Sequence, residues 1–132
     1  MKKYFEPIVR ALLVGRQRRI LLARRVKPPE QGKWALIGGK QEMGETLEEC
    51  VKREVKEELG FDFSPTFVGY SENYKRDQAD RHSIMFYFKG SAKTPLKLKA
   101  DEITEARFFS LGELNQIEVA WDHKDYIFKY LK

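Results

Sequence analysis

The stretch Gly39–Phe61, GKQEMGETLEECVKREVKEELGF, decides the fold, because it reads as a glycine-rich turn feeding one strongly specified helix. Thr46, followed three residues later by Glu49, forms a capping box, in which each side chain satisfies the other residue's free backbone N–H. The helix therefore starts there. Gly60 ends it, since glycine takes the left-handed conformation that helix C-termini favour, and Phe61 folds back onto the last turn. Leu47, Val51, Val55 and Leu59 recur every four residues. At roughly 100° per residue they make one apolar stripe, which must face a core.

The acids share that wheel. Glu54 and Glu58 fall beside or within the stripe, with Glu57 and Cys50 on its flank. Carboxylates beside a buried face repel one another and resist desolvation unless a cation or raised pKa values relieve them. A hard divalent ion, which prefers carboxylate oxygens, is the simplest relief. The pattern also admits an ordinary solvated face, with Lys52, Arg53 and Lys56 supplying pairs along the helix.

Gly39, five intervening residues, Glu45, seven more, and then Arg53-Glu54-Val55-Lys56-Glu57-Glu58-Leu59-Gly60-Phe61 fill all nine defined positions of the Nudix box. A match of that length is far less open to chance than a short glycine fingerprint. The chain thus resembles a Nudix hydrolase. The resemblance implies an α/β (α+β) Nudix fold, a mixed β-sheet sandwiched between helices. It implies Mg²⁺, with Mn²⁺ as a substitute, held by Glu54, Glu57 and Glu58, with Glu45 as a further or outlying acid and Gly39 giving close backbone approach. Arg53 joins these glutamates in the catalytic set and orients them, lying four residues before Glu57 and four after Glu49. Nudix chains often carry one more acid ahead of an aromatic strand such as Arg107-Phe108-Phe109; Glu102 is the first candidate here and Glu105 the second. Ile37 stands where a proline is usual, a change in turn stiffness that removes no chemical group.

Outside the box, 132 residues that are 42% hydrophobic and 13% aromatic suit a single domain over residues 1–132. No apolar run approaches the roughly 20 residues of a membrane span, and the N-terminus lacks a signal-peptide core, so a cytoplasmic protein without a membrane partner is expected. The single cysteine, Cys50, reads as a small packing residue. Phe5 to Val14 and Ile20 to Val26 read as a hairpin across Gly15–Arg19, with Arg10, Arg24 and Arg25 in or beside it. These arginines either line a phosphate-binding cleft or cover a solvated face. Trp34–Ile37 is extended, and Thr66–Tyr74 pairs with Ser83–Phe88 around a polar tip. Lys93, Lys97 and Lys99 sit in a flexible stretch, and His82 and His123 read as surface histidines. Ser110 and Glu113 form a second capping box, and Asp122 caps a last helix whose Tyr126, Ile127, Tyr130 and Leu131 face the sheet.

The chemistry implied is water attack on a diphosphate within a nucleoside diphosphate linked to another group. A nucleoside triphosphate pyrophosphohydrolase is the first expectation. Alternatives are an ADP-ribose or nucleotide-sugar pyrophosphatase, an RNA 5′-end pyrophosphohydrolase, and a non-catalytic nucleotide-binding module. The net charge of +5 favours anionic ligands by steering. The expected partner is a small nucleotide rather than a nucleic acid, and an edge strand near the N-terminus leaves room for a homodimer. Every acid of the box is present, which argues for catalysis.

Overall fold

The computed structural model describes residues 3–73, 81–99 and 103–132. Among the described residues seven strands, β1 (Tyr4–Val14), β2 (Ile20–Arg25), β3 (Trp34–Ala35), β4 (Ile37–Lys40), β5 (Thr66–Asn73), β6 (Arg81–Ser91) and β7 (Ile103–Phe109), build one sheet between two helices, α1 (Leu47–Leu59) and α2 (His123–Leu131). The order is β3-β2-β1-β6-β5, with β4 paired to β1 and β7 to β2. β1 and β6 run parallel, whereas the other ladders are antiparallel, so the sheet is mixed as expected.

β1 shows why. Its side chains alternate, and both faces are covered: Val9, Ala11 and Leu13 join the cluster that buries Val51, Val55 and Leu59 of α1. Leu12, with Ile8 and Val14 beside it, joins the cluster of Ile127 and Leu131 of α2. Each helix therefore covers one face. Arg10 falls between Ile8 and Leu12 in that row, which holds one other charge, the buried Glu6.

Thr46 and Glu49 make the reciprocal capping box, and Gly60 closes α1 at φ 81°. The stretch expected to be flexible is instead fixed to the helix end. Lys97 N–H donates to Leu59 O at 2.9 Å and Lys99 N–H to Glu58 O at 3.2 Å, satisfying carbonyls that a helix C-terminus leaves open.

Three other expectations change. β1 and β2 are not an extended hairpin, since they pair only at Val14 and Ile20. Beyond that point β1 takes β4 and β6 as partners while β2 takes β3 and β7, and the sheet opens into a cleft. Gly38 and Gly39 are not the turn but lie inside β4, opposite Arg10 and Val9. His123 is not on the surface: it is 3% exposed, and its Nδ1 accepts the Leu36 N–H at 3.1 Å. Burial, with Arg10 and Arg25 nearby, lowers its pKa well below the ordinary range, so it stays neutral.

The second capping box forms between Ser110 and Glu113 and opens a 3₁₀ turn, Gly112–Gln116. Asp122 occupies the N-cap position of α2 without a side-chain capping bond. Tyr126 and Tyr130 pack on Tyr87 at 4.7 and 5.5 Å between centroids. No helix among the described residues is long and apolar enough to cross a membrane.

Candidate active site

The outward flank of α1 carries Arg53, Glu54, Glu57 and Glu58, and Arg53 gathers most of the acids. Its Nη2 lies 2.7 Å from Glu45 Oε1 and its Nε 3.0 Å from Glu45 Oε2. Its Nη1 lies 3.0 Å from Glu54, 3.3 Å from Glu57 and 3.7 Å from Glu42. The expected pair with Glu57 is present. Glu49 is engaged in the helix cap instead, accepting the Thr46 N–H, and Glu45 takes the larger share of Arg53.

Glu54 lies against β4 only because residue 39 is glycine. A Cβ there would meet Glu54 Cδ and Oε1 at 2.5 Å. Burial raises the Glu54 pKa, opposed by Arg53. Cys50 is fully buried beneath this cluster, and burial with Glu45 close by pushes its thiol up to about 12, so it packs rather than reacts.

Glu45 reports on the cluster. Arg53, and the Glu42 N–H at 2.9 Å, favour its ionised form and hold its carboxyl down to about 2. A folded pKa below the unfolded one contributes stability above the unfolded value of about 4.5, and that contribution is lost as pH falls toward 2. The melting-temperature gap between wild type and Glu45→Gln is therefore expected to be full at pH 7 and to close between about pH 4.5 and 2. A gap unchanged at the acid end would contradict this.

Glu58 faces the cleft opened by the splayed strands, a space of about 230 Å³ lined also by Arg10, Arg24, Arg25, Lys27 and Gly38. All three arginines read ambiguously from sequence thus reach one cleft. Arg25 Nε donates to Pro29 O at 2.8 Å, and Arg24 binds Gly32 O at 2.9 Å and Glu105 at 3.2 Å. Arg10 Nε has no hydrogen-bond partner among the described residues.

Of the two acids considered ahead of the aromatic strand, Glu102 lies outside the described residues. Glu105 is inside β7 and pairs with Arg24 and Arg107, so it is committed elsewhere. Among the described residues, no three acidic, histidine or cysteine side chains close around one point at metal-ligating spacing. The donors nonetheless suit a hard divalent ion: clustered carboxylates, one raised in pKa by burial, beside a backbone left open by glycine. Sequence reading missed Trp121, whose ring sits over Arg25 and Arg10. Its backbone angle is invisible in the sequence, and a tryptophan ahead of a helix cap reads as packing.

A family model described as the NUDIX domain matches residues 5–130. An ADP-ribose pyrophosphatase from Methanocaldococcus jannaschii is 33% identical over 121 residues, covering 91% of this chain and 70% of that protein. A NAD-capped RNA hydrolase from Schizosaccharomyces pombe is 33% identical over 89% of this chain, which spans only 31% of that protein. The solved structure of a MutT NUDIX hydrolase from Burkholderia pseudomallei superposes with a TM-score of 0.83 at 26% identity, covering 96% of this chain and 98% of that one.

Proposed function

The chain belongs to the Nudix hydrolase family, and from there we propose that it hydrolyses the phosphoanhydride of a nucleoside diphosphate linked to another group, with nucleoside triphosphates as the first substrate class. The observation that carries this reading is the cleft beside α1, where Arg10, Arg24, Arg25 and Lys27 stand around Glu58. Such a concentration of cations is electrostatically matched to a polyphosphate.

In this reading the arginines bind and orient the phosphate oxygens, with guanidinium forks matching phosphate geometry. Arg53 keeps Glu45, Glu54 and Glu57 together on one flank of α1. Glu54, Glu57 and Glu58 would hold the divalent ion that the family generally uses, with Glu45 and the Gly39 backbone alongside; when bound, that ion neutralises phosphate charge and lowers the pKa of water. A carboxylate of the same set receives the proton of the attacking water.

A second reading, hydrolysis of ADP-ribose, is favoured by the M. jannaschii relative, which aligns with 91% of this chain. A panel of nucleoside triphosphates, dinucleotides, nucleotide sugars, ADP-ribose and 5′-triphosphorylated RNA, incubated with Mg²⁺ and resolved by chromatography, separates the readings. Pyrophosphate with a nucleoside monophosphate is the expected product pair. A nucleoside monophosphate with ribose phosphate would move the assignment to the second reading, and no cleavage of any member would overturn both.

A further inference from the structure

Trp121 is held where neither burial nor backbone preference would place it. Its φ is 47°, in the left-handed region that bulky side chains avoid, yet the residue is 42% exposed. Strain of this kind persists only where surrounding structure imposes it. Here two anchors do so. The Trp121 N–H donates to Glu30 Oε1 at 3.0 Å, and Glu30 is itself left-handed at φ 62° and paired with Lys33 Nζ at 2.6 Å. On the other side, Trp121 leans on the His123 ring at 5.2 Å, and His123 is fixed to the Leu36 N–H.

The outcome of that scaffolding is a tryptophan ring over two of the three cleft arginines. Arg25 Cζ lies 4.5 Å from the ring centroid and Arg10 Cζ 5.8 Å. A ring beneath a guanidinium engages its flat face and leaves the N–H edge available for a phosphate. With Arg25 Nε already fixed to Pro29 O, the side chain is restrained at two points before any ligand arrives. Ordering carried out in advance is ordering that binding does not have to supply.

We infer that Trp121 is a positioning residue, which presents Arg25 and Arg10 to the diphosphate of the substrate. The inference rests on the cleft reading above and adds a residue that touches no phosphate itself.

Trp121→Asn is the informative variant, because asparagine tolerates the left-handed conformation while lacking an aromatic face. Trp121→Leu keeps apolar bulk without that face and serves the same comparison if the asparagine variant does not fold. Trp121→Phe keeps an aromatic face. Binding of inorganic pyrophosphate, measured by calorimetry without added metal, is expected to weaken about 5- to 10-fold in Trp121→Asn and Trp121→Leu. In Trp121→Phe it should stay within about 2-fold of wild type. With substrate, KM should rise in Trp121→Asn while kcat holds. A merely structural role would lower the melting temperature without this KM-against-kcat split or rescue by phenylalanine. Wild-type affinity in both Trp121→Asn and Trp121→Leu, or equal loss in Trp121→Phe, would overturn the inference while leaving the cleft reading intact. Absence of pyrophosphate binding by the wild type would overturn the cleft reading and the inference together.

Discussion

Glu57→Gln is expected to lower kcat by about 10³-fold while leaving the fold intact. The side chain is 47% exposed, and its one ion pair among the described residues, to Arg53 at 3.3 Å, joins residues one helical turn apart. Exposed pairs of this kind contribute about 0.3–0.5 kcal/mol, so the melting temperature should shift by only about 1–2 °C. The amide keeps the size of the carboxylate but removes its charge, and in the proposed site that charge holds a divalent ion. Circular dichroism and thermal melting beside steady-state kinetics separate the two effects. Near-wild-type turnover would remove Glu57 from the site.

Gly39→Ala should damage both stability and activity through a single added methyl group. The new Cβ would sit 2.5 Å from Glu54 Cδ and Oε1 and 2.8 Å from Oε2, too close for both sides to remain in place. β4 is held by its pairing with β1 through Val9, so the adjustment falls on the Glu54 carboxylate, the far end of a flexible side chain that swings away from the new methyl group. Relief of this kind keeps the cost at the low end of overpacking, about 1 kcal/mol. For a domain of this size the melting temperature should fall by about 3–5 °C. Displacing a reacting carboxylate by about 1 Å can reduce kcat about 10²-fold. Adding Glu54→Asp shortens the clashing side chain, so the double variant should recover melting temperature but not kcat. Unchanged kcat in Gly39→Ala would mean that the Glu54 carboxylate has no role in turnover.

The elements that were legible in the sequence are those specified locally. α1 is announced by Thr46, Glu49 and Gly60, and its buried face by a stripe at helical spacing, because capping and amphipathicity act within a few residues. The β5–β6 hairpin was equally readable, as its strands are neighbours in sequence. The splaying of β1 from β2 was not, since it depends on β6 arriving in parallel from far along the chain. Gly38 and Gly39 carry the usual composition of a turn; their place in β4 follows from the close approach of the Val9 carbonyl to Gly38 and of the Glu54 carboxylate to Gly39.

At the site, the acids of α1 could be named from sequence because one helix presents them. The way Arg53 gathers them could be read only in part. Its pair with Glu57 follows helical spacing, whereas its stronger engagement of Glu45 crosses the loop ahead of the helix. His123 was misread for a related reason: nothing local marks a histidine whose acceptor role is set by the Leu36 N–H, 87 residues away. Trp121 belongs to the same class, a residue whose position is fixed by contacts with Glu30 and two distant arginines.

The central claim is that the glutamates of α1 hold a divalent ion for phosphoanhydride hydrolysis, and Mn²⁺ titration followed by electron paramagnetic resonance tests it most directly. Loss of the free-ion signal on adding wild-type protein, with about 10- to 100-fold weaker binding in Glu57→Gln, is the expected result. A free-ion signal untouched by the wild type, or equal uptake by Glu57→Gln, would contradict it.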